Sequence, residues 1–271
     1  MLKLMMLTHD PVIAKAADEA GVDRIFYDLE YINKRERQHG RNTVISEYDI
    51  DGITDVKNAV KNGELVVRVN PIYFNSKREI NEVLSKEPDY VMLPMVVDSH
   101  DVEKFVELVN GRAKTIIMVE TTQALARLDD ILEVKGIDEV FVGLNDLHIG
   151  LGLSFMFEVV AFGILDYIAS KCNEKGIKFG FGGVARIGQG ELPAENIIGE
   201  HYRLGSQTVI LSRVFKGTRD SGEKASFDFD LKEELGKIRD REKECEGWTE
   251  KQFNENHKIV KDYVKRVLEN G

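Results

Sequence analysis

Two acidic residues occupy positions where an acid is costly. Glu120 directly follows the apolar run Thr115-Ile116-Ile117-Met118-Val119, and Asp146 lies just beyond Val140-Phe141-Val142, in Gly143-Leu144-Asn145-Asp146-Leu147. A carboxylate at the tip of a buried strand loses hydration unless something pairs with it. If the two strands are parallel neighbours, both acids face one point. Two oxygen ligands with room for water suit Mg²⁺ or Mn²⁺. Further groups lie at the ends of other apolar runs: Asp28 and Glu30 with Tyr31, Arg68 with Asn70, Thr8 and His9, Pro94-Met95, Gly182-Gly183 and Ser212-Arg213. Several acids with an arginine describe a site for an anionic substrate and a divalent cation. A nucleophile–histidine site is not indicated, because no Gly-x-Ser-x-Gly elbow, P-loop or zincin motif occurs. His148, Arg213 and the glycines of Gly180-Phe181-Gly182-Gly183 each have a functional and a packing reading. For the glycines, close backbone packing is favoured over phosphate binding.

These residues need elements to position them. Eight apolar runs rich in β-branched residues can be marked: Leu2–Leu7, Arg24–Asp28, Glu64–Val69, Tyr90–Val97, Thr115–Val119, Glu139–Val142, Lys178–Phe181 and Thr208–Val214. Near-continuous hydrophobicity is what strands covered on both faces require. Helical segments alternate with them. Asp10-Pro11 supplies an N-cap and a first-turn proline, and Gly21 a stop. Ser76 and Ser99 open two more helices, and Thr121 or Thr122 a fourth that runs to Gly136. Phe157–Glu174 and Pro193–Leu204 are a fifth and a sixth, stopped by Gly176 and Gly205. Eight strand–helix units predict a closed (β/α)₈ barrel over residues 1–217, ahead of an open doubly wound sheet. Residues 218–271 read as a C-terminal helical extension. Asp230–Glu244 and Thr249–Leu268 are its helices, either completing the barrel with an outer helix or clasping a second subunit.

Composition excludes several classes. At 42% hydrophobic and 31% charged the chain has ordinary globular character, and its net charge of -10 disfavours a nucleic-acid surface. Cys172 and Cys245 fit no metal spacing and read as reduced thiols. The opening apolar run is too short for a signal peptide or a membrane span. The expectation is a cytoplasmic protein without membrane or nucleic-acid partners.

The central block, Val119-Glu120-Thr121, then Leu128-Asp129-Asp130-Ile131, then Gly136 through Leu147, resembles the HpcH/HpaI aldolase and citrate lyase β-subunit family. Asp28-Leu29-Glu30, Val67-Arg68-Val69-Asn70-Pro71 and Leu93-Pro94-Met95-Val96 follow in the matching order. The resemblance implies a (β/α)₈ barrel that binds a divalent metal and handles a 2-oxo acid or acyl-CoA through an enolate. It implies Glu120 and Asp146 as metal ligands and Arg68 as partner of the substrate carboxylate and oxyanion. Leu144-Asn145 would be the backbone cradle of the carboxylate. It also implies a homo-oligomer, a trimer or a hexamer.

Three departures stand out. The aldolase branch places a histidine directly after the acidic pair, where this chain has Tyr31, and phenols ionise near ~10, too high for a base at neutrality. Met118 stands where a glutamine is usual, and Met95 where the citrate lyase branch often has lysine. His148 is a candidate for the missing proton transfer, beside Asp28, Glu30 and Tyr31. The expected activity is a metal-dependent aldolase forming or cleaving 4-hydroxy-2-oxo acids. The alternatives are a CoA-thioester lyase of the malyl- or citramalyl-CoA type and a non-catalytic homologue that binds a small acid.

Overall fold

The inward face of each strand sets the architecture. In β2 (Arg24–Asp28) residues 24, 26 and 28 point one way because strand side chains alternate. The other strands are β1 (Lys3–Leu7), β3 (Glu64–Arg68), β4 (Tyr90–Leu93), β5 (Lys114–Val119), β6 (Glu139–Val142), β7 (Lys178–Val184) and β8 (Thr208–Leu211). All pair in parallel in sequence order, and β1 closes on β8 through Lys3↔Thr208 and Leu4↔Val209. The computed structural model describes residues 1–32, 49–219 and 224–270. The (β/α)₈ barrel expected from the alternation is the fold.

Three layers fill the barrel. The floor is ionic: Arg24 donates to Glu139 at 2.8 Å, to Glu64 at 3.2 Å and to the Tyr90 hydroxyl at 2.9 Å. The middle is apolar, built by Met5, Phe26, Val66, Met92, Ile116 and Phe141. The top carries Asp28, Arg68, Met118 and Glu120. A separate and larger apolar layer lies between strands and helices.

Local chemistry explains where elements end. Asp10 caps Pro11–Ala20 through the Val12 N–H at 2.8 Å, and Gly21 terminates it at φ 103°. The expected strand Tyr90–Val97 stops at Leu93, since Pro94 has no N–H to give and Met95 turns to φ 53°. Thr208–Val214 likewise ends at Leu211, before a 3₁₀ turn at Arg213–Phe215. The single helix expected over 157–174 is two, Glu158–Ala161 and Ile164–Lys175, divided at Gly163 with φ 91°. The segment from Thr121 also divides, into Thr122–Ala126 and Leu128–Leu132. Gly180 must be glycine, because a Cβ there would lie 2.4 Å from the Thr208 carbonyl oxygen across the β7–β8 seam.

After β8 the chain forms Leu231–Glu246, which packs between Pro11–Ala20 and Ala194–Leu204 and occupies the eighth helical position. Glu242 accepts the Leu2 N–H, and Arg239 donates to the Leu2 carbonyl at 2.8 Å. The last helix, Glu250–Asn270, lies against Ala194–Leu204. There the buried Glu200 accepts from Asn256 Nδ2 at 2.9 Å and sits 2.9 Å from His257 Nδ1. Among the described residues no helix is long and apolar enough to cross a membrane.

The ionic floor gives a stability prediction. Arg24→Met should cost about 3–5 kcal/mol in urea unfolding, because it strands Glu139 in the interior. The double variant Arg24→Met/Glu139→Leu should recover most of that loss. Equal losses in the single and double variants would show that the pair itself, not the orphaned charge, carries the stability.

Candidate active site

The barrel's upper layer assembles residues from β2, β3, β5 and the loop after β6. Asp28 and Arg68 are register partners on adjacent strands. Arg68 Nε donates to Asp28 Oδ1 at 2.9 Å and Nη2 to Oδ2 at 2.8 Å, a bidentate fork. Nη2 also lies 3.2 Å from Glu30 Oε2, and Nη1 is 3.5 Å from the Met118 sulfur. A thioether is a weak acceptor, so the residue that departs from the aldolase pattern still packs against the arginine. Burial works against the Arg68 charge. Asp28, then Glu30 and Glu120, outweigh it and hold the guanidinium above its ordinary pKa.

Glu120 is buried at the tip of β5, where its Oε1 accepts the Met95 N–H at 2.9 Å. Met95 holds a left-handed conformation to present that N–H, a strained backbone beside the acids. Gly143 makes the other half of the seat, since a Cβ there would fall 2.3 Å from Glu120 Oε2. Burial chiefly, then the negative charges of Glu30 and Asp146, push the Glu120 carboxyl up to about 8 against the pull of Arg68. Asp28, Glu30 and Glu120 thus bear on one arginine, and Asp146 adds a fourth negative charge beside Glu120.

That imbalance is the test of whether a divalent cation fits. The excess negative charge beside one buried carboxyl is what such an ion neutralises, and hard oxygen donors are its usual ligands. Among the described residues no three His, Cys, Asp or Glu side chains form a closed cage. Glu120 and Asp146 are the residues that could hold a cation, and two oxygen side chains would suit one that keeps several waters, such as Mg²⁺ or Mn²⁺. Asp146 stands in the first turn of Leu144–Gly150, whose capping position is Gly143 with no side-chain cap. Leu144 and Asn145 open this turn, and N–H groups there have no acceptor within the helix.

The remaining candidates lie elsewhere. Tyr31 is 56% exposed and lines a cleft of ≈ 660 Å³ with Asn70, Tyr73 and Glu79, and none of the acids around Arg68 borders it. Asn70 accepts the Tyr31 and Ile32 N–H groups at 2.9 and 3.0 Å and so fixes the loop carrying Glu30. His148 is buried, its Nδ1 3.2 Å from the Leu144 carbonyl one turn back, which accounts for it without a catalytic role. His9 Nε2 meets the backbone of Asp28, 2.9 Å from its carbonyl oxygen and 3.1 Å from its nitrogen. The strain at Met95 and the empty Cβ position of Gly143 were not anticipated from sequence. The only signals were a residue after proline and a glycine after a strand.

A parallel eight-stranded barrel with buried acids and an arginine at the C-terminal strand ends is the layout of a barrel enzyme. The family described as HpcH/HpaI aldolase/citrate lyase matches residues 3–177. The chain belongs to that family. A hydroxypyruvate/pyruvate aldolase of Rhizorhabdus wittichii is 37% identical over 79 residues, 27% of this chain and 32% of the relative. A 2-keto-3-deoxy-L-rhamnonate aldolase of Escherichia coli is 43% identical over 51 residues, 19% of each chain. The chain thus spans about a third or less of the curated relatives it matches. Solved structures share the fold: an HpcH/HpaI aldolase from Desulfitobacterium hafniense has TM-score 0.60 at 18% identity, covering 78% of this chain and 86% of the other. An HpcH/HpaI aldolase/citrate lyase family protein from Burkholderia cenocepacia has TM-score 0.60 at 16% identity, covering 91% and 95%.

The raised Glu120 carboxyl predicts a pH dependence. Between the ordinary 4.5 and about 8 the folded chain holds a proton that the unfolded chain has released, so stability falls as pH rises through that window. In chelator-treated protein, the wild type should lose melting temperature relative to Glu120→Gln from pH 5 to pH 8. Parallel curves would mean Glu120 is not protonated in the fold.

Proposed function

We propose that this protein is a divalent-cation-dependent carbon–carbon lyase that forms and cleaves 4-hydroxy-2-oxo acids through the enolate of pyruvate. The observation that carries the reading is the crowding of Glu30 and Asp146 upon the buried Glu120 carboxyl, beside an arginine, Arg68, that Asp28 already engages. The aldolase names of the short-matching relatives support the same chemistry.

In this reading Glu120 and Asp146 hold the cation, which when bound supplies positive charge that polarises the 2-oxo group. Arg68 faces the oxygen on which charge develops, and Asp28 fixes it by using both carboxylate oxygens. The first turn of Leu144–Gly150 receives the substrate carboxylate through the Leu144 and Asn145 N–H groups. Glu30 accepts a proton from the methyl carbon, leaving the electron pair in the enolate. That carbon then attacks an aldehyde, and the new alkoxide takes up a proton. Cleavage runs the same steps backwards. Glu30 is assigned this role because it lies 3.2 Å from Arg68 Nη2 and its charge bears on Glu120, whereas Asp28 holds the guanidinium through both oxygens. Tyr31, exposed at the rim, and His148, bonded within its helix, are not assigned proton transfer.

The test is exchange of pyruvate methyl protons in D₂O, followed by NMR with Mg²⁺ or Mn²⁺. Exchange should need the cation and disappear in Glu120→Gln, Asp146→Asn and Glu30→Gln. Arg68→Lys should slow it by about 10²–10³-fold, the scale of losing one oriented donor to a developing oxyanion. Undiminished exchange in Glu120→Gln would overturn the mechanism.

A further inference from the structure

Arg186 lies two residues beyond the end of β7. Its guanidinium carbon sits 4.4 Å from the centre of the Phe229 ring, and its Nε is buried without an acceptor. Among the described residues no carboxylate lies within ion-pair distance of it, whereas Arg24, Arg68, Arg203 and Arg239 are all paired. The nearby Glu195 is engaged by the Gly188 N–H at 3.2 Å. A half-buried cation with one face on an aromatic ring and no counter-charge is held in place while its hydrogen-bonding edge is left without a partner.

Its place in the barrel indicates what the partner is. β7 adjoins β6, whose following loop carries Leu144 and Asp146. The Leu144 Cδ1 stands 2.6 Å from where a Cβ of Gly182 would be, so the tip of β7 is in contact with that loop. In such barrels the loops after the seventh and eighth strands commonly bind anionic groups. We propose that Arg186, stacked on Phe229, is an anion subsite at the rim that takes the terminal carboxylate or phosphate of the electrophile. The identity of the ligand rests on the enolate reading above, whereas the subsite rests on the placement of Arg186. A planar guanidinium binds either anion through two parallel hydrogen bonds, which a lysine in its place could not reproduce. The preferred electrophile is therefore an aldehyde with a charged far end.

The experiment compares matched electrophiles: succinic semialdehyde with butanal, and glyceraldehyde 3-phosphate with glyceraldehyde. In Arg186→Gln, KM for the charged member of at least one pair should rise at least 10-fold, while KM for the neutral members and the pyruvate exchange rate stay unchanged. The pair showing the larger change identifies carboxylate or phosphate as the natural terminus. Equal changes for charged and neutral electrophiles, or none, would overturn the subsite. If the wild type shows no pyruvate exchange, the lyase reading fails by itself. Calorimetric titration of succinate and inorganic phosphate then decides the subsite: binding at least 10-fold weaker in Arg186→Gln supports it, and equal or absent binding in both proteins overturns it.

Discussion

The site depends on keeping several carboxylates where burial strips away most of their hydration. Each buried acid at the top of the barrel raises the cost of the next, and one arginine offsets only part of that cost. The β-barrel makes the crowding durable. Asp28 and Arg68 face each other because the β2–β3 ladder puts them in register, and neither strand can slip by one residue without turning its own member of the pair outward. The Asp28–Arg68 pair is thus a property of strand register rather than of mobile side chains.

The same alternation supplies the barrel's opposite end. Arg24, Phe26 and Asp28 share one face of β2, so a single short strand contributes to the ionic floor, the apolar middle and the reactive top. The floor resembles the top in composition but not in balance. Arg24 meets Glu139, Glu64 and the Tyr90 hydroxyl, and that cluster closes the barrel as a satisfied network. At the top the balance is left negative. One end is electrostatically balanced and the other is not, and the unbalanced end is the one where sites lie in this architecture.

Much of this was legible in the sequence because strands covered on both faces must be apolar along their length. An acid or arginine at the end of such a run is then conspicuous. Glu120, Asp146, Asp28, Glu30 and Arg68 were found that way, and the family resemblance rests on the same residues. What sequence could not give was contact between elements distant in the chain. The seat made by Met95 and Gly143 depends on backbone angles and on the absence of one carbon, neither of which leaves a pattern. Arg186 stood out only once Phe229, 43 residues later, was seen beneath it. Element ends moved where proline or a left-handed glycine overrode hydrophobicity, at Pro94 and Gly163.

The bond between Glu242 and the Leu2 N–H joins residues 240 apart in sequence. Contacts of such separation form late, because the entropy of closing the loop must be met before they contribute. The start of β1 is therefore covered only when Leu231–Glu246 has docked. Until β8 pairs with β1 the barrel has an open seam between its first and last strands, and the chain presents two strand edges to its surroundings. The chain is therefore most open to edge-to-edge association before β1 and β8 have met.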